Sequence, residues 1–296
     1  MTAGFFSELG KQLAEKWLTL LVLPGLLFVA TAATGFLAGH QHAVDVGQLV
    51  LRGDRLAGEL ERAGATGVIL AAVVTLLAAA ACGLLARAAG SVVERIWLGV
   101  WPAPLRRLSI SRTERRAKQW EALSEQYEQA VKAGADAAIR DRLADDRRRV
   151  SGAEPQRPTW MGDRLCSVDA VTLAEYGLDL SSAWPRLWLL ASSDSRDQVQ
   201  AARGAFDRAA VLAGWGFLYL GIGTWWWPAA IVALVVFLTA WTQGRSRIDA
   251  YADLVEAFVD LHVGQLAHAL AIPHTGSDTE ITLIGQQITR RLRKGR

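Results

Sequence analysis

The sequence predicts an all-α protein: a four-span transmembrane helical bundle with a helical cytoplasmic domain. Three observations predict it. The apolar residues, 51% of a 296-residue chain that is 21% charged, are gathered into blocks of membrane-crossing length. The basic residues beside those blocks all fall on one side. Between and after them run charged segments with apolar residues at three- and four-residue steps, broken by glycine and proline.

A membrane-crossing helix needs about 20 mostly apolar residues. Residues 1–16 read as a cytoplasmic N-terminus, and Trp17–Leu37 as the first span, interrupted only by Pro24 and Gly25. A secretory signal is the rival reading of that block. It fails on length, since an apolar signal core runs about 7–15 residues, and Ala-Gly-His after Leu37 makes a poor cleavage site. An extracytoplasmic loop follows over 38–66, then a charge-free second span over 67–86. The block from Ala209 to Trp241 is too long for one span. It suits a hairpin turning at Thr224-Trp225-Trp226-Trp227-Pro228, with spans over 209–224 and 228–243 and proline in the first turn of the returning helix.

Orientation follows from the flanking cations. Lys11 and Lys16 precede the first span; Arg87, Arg95, Arg106 and Arg107 follow the second. Arg203 and Arg208 precede the third, and Arg245 and Arg247 follow the fourth. The loop over 38–66 sets three arginines against four acids, and the tryptophan hairpin holds no charge. Both termini and the central segment are therefore expected inside an inner membrane. Trp225, Trp226 and Trp227 are then anchors at the outer interface, where amphipathic rings belong.

Residues 87–208 are expected to form a cytoplasmic helical domain. Val92, Val93, Ile96, Trp97, Val100 and Trp101 continue the second helix beyond the membrane, as an interfacial or a core helix, until Pro102 and Pro104 break it. Ser111 to Val150 reads as a helical hairpin turning at Lys132-Ala133-Gly134, and Ser151 to Pro158 as a linker. Tyr176-Gly177 reads as a helix end with glycine in the left-handed position, and Asp179 or Ser181 as the next cap. Trp184-Pro185-Arg186 reads as a rigid aromatic corner near the bilayer, either packing the domain or offering an arginine fork to phosphate.

This dense region carries Pro158-Thr159-Trp160-Met161-Gly162-Asp163, Tyr176-Gly177-Leu178-Asp179 and Trp184-Pro185-Arg186-Leu187. It resembles a family of uncharacterised bacterial integral membrane proteins of actinobacterial type. Their pattern is Pro-Thr-x-x-Gly-Asn, then Tyr-Gly-x-Asp, then Trp-Pro-Arg-Leu. Asp163 stands where that pattern has asparagine. The resemblance implies the membrane architecture and no chemistry. Asp163, Tyr176, Asp179, Trp184, Pro185 and Arg186 are the candidate functional or packing residues it marks.

Residues 244–296 are expected to form an amphipathic helix, Ile248 to Ile272, and a mobile basic tail. Asp249, Asp253, Glu256 and Asp260 share one helical stripe, with Tyr251, Leu254, Phe258 and His262 opposite. Such a stripe reads as a solvated or arginine-paired face before a cation site, because ligands on one straight helix do not enclose an ion. Arg290, Arg291, Arg293, Lys294 and Arg296 end the chain. They read as a basic tail near anionic lipid.

No phosphate loop, dinucleotide fingerprint, nucleophile elbow or paired-histidine zinc motif occurs. Cys82 and Cys166 give no disulfide framework. No catalytic residue, cofactor or metal is expected; a net charge of +3 argues neither for nor against nucleic acid, and no nucleic-acid partner is expected. The spans hold no Asp, Glu, Lys, Arg or His, which weakens a transporter reading. The expected partner is the lipid bilayer, and the sequence admits a cytoplasmic protein partner and a homo-oligomer. The function expected is a non-enzymatic anchor or scaffold. A homo-oligomeric channel or membrane-perturbing effector is the alternative, from Ala78, Cys82, Ala86 and the glycines of the third span. A lipid-active enzyme using Asp163, Asp169, Asp179 and Arg186 is the third.

Overall fold

A computed structural model describes residues 22–40, 45–272 and 278–293. Among them no strand occurs. The helices are α1 (Leu23–Ala38), α2 (Val46–Arg62), α3 (Gly64–Trp97), α4 (Arg106–Lys132), α5 (Ala137–Val150), α6 (Trp160–Tyr176), α7 (Leu180–Leu190), α8 (Ser193–Gly223), α9 (Trp227–Ala269) and α10 (Asp278–Arg293), with a 3-10 turn at Ala103–Leu105. Two compact units are formed. One holds Met1–Val93 and Arg208–Thr242, the other Glu94–Asp207 and Gln243–Arg296.

The first unit packs through small residues. Gly25 lies against the Ala79 carbonyl, Gly214 against that of Ala86, and Gly90 against the backbone of Val211. A Cβ at Gly25 or Gly214 would fall within 2.2 Å of those oxygens, so only glycine admits the approach. Aromatic edges lock the remainder: the Phe28 ring lies 5.3 Å from Tyr219, and Phe217 lies 4.8 Å from Phe237. Helices α3 and α9 are each long and apolar enough to cross a membrane, and α1 is apolar but shorter. Residues 17–21, the start of the expected first span, lie outside the described residues, as do Lys11 and Lys16.

Glycine and proline set the ends. Helix α3 stops at Trp97, earlier than the stripe through Val100 and Trp101 suggests. Gly99 takes φ +75°, while the N–H groups of Gly99 and Val100 donate to the carbonyls of Ile96 and Arg95. These two hydrogen bonds close the helix end, so Trp101 is no part of it. Gly134 does the same for α4, with φ +66° and the Ala135 N–H on Ala130. The hairpin at Thr224–Trp226 joins α8 to α9, and Pro228 stands in the first turn of α9.

Three further expectations, about the longer segments, need correction. The segment 38–66 is not merely a loop, because α2 occupies most of it with charged and apolar residues at helical spacing. The segments expected as the last span and the amphipathic helix after it form one continuous helix, α9. Gly244 does not interrupt it, because its missing side chain makes room for the Trp97 ring, 2.6 Å from where a Cβ would lie. The basic end, as far as Arg293, is a docked helix and not a mobile tail. Ile284 and Ile288 of α10 are buried in the core of the second unit with Leu178, Leu187, Val259 and Leu266. Lys294 and Arg296 lie outside the described residues.

Candidate functional site

The residues marked by sequence gather in the second unit. Thr159 caps α6, its Oγ1 accepting from the Gly162 N–H and donating to the Trp97 carbonyl. Gly162 is small because the Leu98 carbonyl lies 2.6 Å from where a Cβ would stand. Asp163, only 3% exposed, is held from two sides. Its Oδ1 accepts the N–H groups of Gln156 and Arg157 at 2.8 and 2.7 Å, and its Oδ2 accepts from Arg116 at 2.7 Å. Arg116 also donates to the Val150 carbonyl, Arg112 to that of Pro158, and Trp120 to that of Ser151. The segment read as a linker is therefore a strap, its backbone groups satisfied by one stripe of α4 and by Asp163. The carboxylate, which stands where the resembled pattern has asparagine, is the group that two guanidinium nitrogens require.

The acidic stripe of α9 is spent on α6. Arg164 donates through Nε to Asp249 at 2.7 Å, through Nη1 to Glu256 at 2.8 Å, and through Nη2 to Asp253. Burial alone would lower its pKa, but the hydrogen bonds of Glu256 and Asp249 outweigh that and hold the guanidinium charged. One turn on, the Tyr176 hydroxyl donates to Asp260 at 2.7 Å, a bond that pushes the phenol up to about 12. His262 is buried, stacked on Phe258 at 4.4 Å, with Nδ1 on the Phe258 carbonyl.

Helix α10 closes on the Tyr-Gly-Leu-Asp segment. Gly177 takes φ +63° and ends α6. Gly285 stands against the Tyr176 carbonyl, 1.7 Å from where a Cβ would lie. Thr282 donates to the Glu175 carbonyl, and Thr289 accepts from the Asp179 N–H and donates to the Gly177 carbonyl. Asp179 sits at the N-cap of α7, yet its carboxylate receives hydroxyls and a guanidinium instead of helix N–H groups. Ser181, then Ser182 and Arg293, hold it down to about 2 against the upward pull of burial. Asp169 is raised, by burial first and then by the charge of Asp179. It lines a cavity of about 280 Å³ with Ser181, Trp184 and Tyr251.

Trp184-Pro185-Arg186 is no corner: all three lie inside α7. Pro185 removes the N–H that would meet the Ser181 carbonyl, a group in the exposed first turn. Trp184 packs 5.3 Å from Phe258, and Arg186 donates to the Ser182 carbonyl of its own helix. In the first unit Trp225 and Trp227 are 45% and 44% exposed. Trp226 turns inward on Tyr219, Ile222 and Ala229, and His40 Nδ1 meets the Trp225 carbonyl.

Sequence reasoning passed over Arg112, Arg116 and Arg164. The signal was present, since Arg112, Arg116 and Trp120 recur at four-residue steps along one helical stripe. Among the described residues no group of three or more His, Cys, Asp or Glu is placed to hold a metal ion. Of the marked polar groups, Asp163, Tyr176 and Asp179 join helices to one another, while Arg186 bonds within its own helix. No family model, curated protein or solved structure matches the chain.

Proposed function

We propose that this chain is a non-enzymatic anchor or scaffold of a bacterial inner membrane. It crosses four times, over 17–37, 67–86, 209–224 and 228–243, and holds its helical domain and both termini at the cytoplasmic face. The observation that carries this reading is the exposure of α3. Only 11% of its most apolar stretch is buried, and nine of its large side chains between Val68 and Leu85 are roughly half exposed or more. Burying each would gain about 1 kcal/mol or more. Nine together match the net stability of a whole domain, about 5–15 kcal/mol. A chain in water forgoes that gain, and a bilayer supplies it.

The anchoring role is supported by how the polar residues are used. Asp163, Asp179, Arg164 and Tyr176 are engaged in joining helices, while the charged faces of α4 and α5 are exposed and available to a protein partner. The close approaches at Gly25, Gly90 and Gly214 use small residues within the chain, which favours this reading over a homo-oligomeric pore. Membership of the resembled membrane family is part of the same proposal. Alkaline carbonate extraction of expressing membranes tests the integral state, and ion flux from proteoliposomes tests the role. Retention in the pellet with no flux is expected. Release by carbonate, or steady flux, overturns the reading.

A further inference from the structure

The phosphate fork that the sequence suggests at Arg186 is turned onto its own helix, but another is built elsewhere. In the second unit a cleft of about 480 Å³ is lined by Arg148, Arg149, Trp160, Arg245, Asp145 and Asp249. Its volume is that of a small-ligand site. The Arg245 guanidinium lies over the Trp160 ring, 4.3 Å from its centroid. Stacking fixes the plane of the fork and leaves the in-plane N–H groups free for oxygen acceptors. Among the described residues no carboxylate pairs with Arg245. Both acids of the cleft are already engaged, Asp249 by Arg164 at 2.7 Å and Asp145 by Arg148 at 2.6 Å. The pairs of Arg148 with Asp145 and Arg149 with Asp146 are largely exposed, so these cations exchange partners at little cost.

We propose that this cleft binds a phosphate group, with Arg245 on Trp160 as its principal cation and Arg148 and Arg149 at its rim. Two sources offer that chemistry, a phospholipid headgroup and free phosphate. The headgroup rests on the reading of α9 as a span. Arg245 lies four residues past Trp241 on one continuous helix, a rise of about 6 Å, which is headgroup depth. Free phosphate needs no such reading.

The test is calorimetric titration of the full chain in mild detergent, with short-chain phosphatidylglycerol, short-chain phosphatidylcholine and inorganic phosphate as separate probes. Arg245→Gln is expected to weaken binding at least tenfold, and Arg148→Gln with Arg149→Gln about threefold. Arg106→Gln with Arg107→Gln is expected to leave it unchanged. Arg245→Lys keeps the charge but not the fork, and an intermediate loss is expected; it decides the matter if the glutamine variant does not fold. Binding of inorganic phosphate supports the proposal with free phosphate as sufficient ligand. Binding of phosphatidylglycerol without inorganic phosphate supports it with the headgroup as ligand. The proposal is overturned if neither binds, if phosphatidylcholine binds equally through unaltered affinity in Arg245→Gln, or if the Arg106/Arg107 variant loses as much. Failure of the membrane reading appears separately, as release by carbonate, and leaves the inorganic phosphate titration valid.

Discussion

Replacing Asp163 by alanine strands the Arg116 guanidinium and the N–H groups of Gln156 and Arg157 in a nearly dry site. Breaking such a pair from one side costs about 3–5 kcal/mol. Asp163→Asn keeps an acceptor for the two N–H groups but sets an amide against Arg116, and about 2 kcal/mol is expected. Thermal unfolding of the full chain in detergent measures both. With Arg116→Met in the background the asparagine cost should shrink, since the two residues act as one unit. Asp179 gives a pH signature. Its carboxyl is held at about 2, below an unfolded value of about 3.9, so the charged form is favoured in the fold. That contribution, about 2 kcal/mol or less, is present above pH 4 and is lost as pH falls towards 2. Asp179→Asn should therefore be destabilising at pH 7 and close to neutral at pH 2. Equal losses at both pH values would assign the effect to packing.

At the scale of elements, α10 is held by the buried Ile284 and Ile288, by the close approach at Gly285 and by the Thr282 and Thr289 hydroxyls. Gly285→Ala places a methyl on the Tyr176 carbonyl and should cost about 1–3 kcal/mol, loosening α10 before the rest. Limited proteolysis reads this as faster cleavage after Arg290 and Arg291, within α10, with the rest of the chain intact. Unchanged cleavage would contradict the docking. Which elements were legible follows from range. Gly134, Gly177 and the Thr224–Trp226 turn are local signals, and each turn falls where its residues stand. The continuity of α9 was not legible, because the apolar pattern over 228–243 and the amphipathic pattern after it read as two segments, and the Trp97 ring packed on Gly244 lies far away in sequence. The docking of α10 was hidden for a similar reason. Its arginines advertise a solvated tail, while Ile284 and Ile288 are too few to mark a core face without the partner they bury against. The strap around Asp163 was hidden because its guanidinium donor, Arg116, lies 47 residues away on α4.

For the whole molecule, the all-helical class follows from periodicity, and two of its helices are long and apolar enough to cross a membrane. The hairpin of α8 and α9 decides whether there are four spans, because α8 changes from charged at Ser193 to apolar near Gly223 within one helix. Light scattering in detergent should return a monomer, given that the small residues of the first unit face one another within the chain. The most direct test is impermeant maleimide labelling of single cysteines in intact spheroplasts, in a Cys82→Ala, Cys166→Ser background. Ala57→Cys, Thr224→Cys, Asp141→Cys and Arg290→Cys place the probe at exposed positions. The account predicts that Ala57→Cys and Thr224→Cys label from outside, and that Asp141→Cys and Arg290→Cys label only after permeabilisation. Labelling of Asp141→Cys in intact cells, or protection of Thr224→Cys, would contradict it.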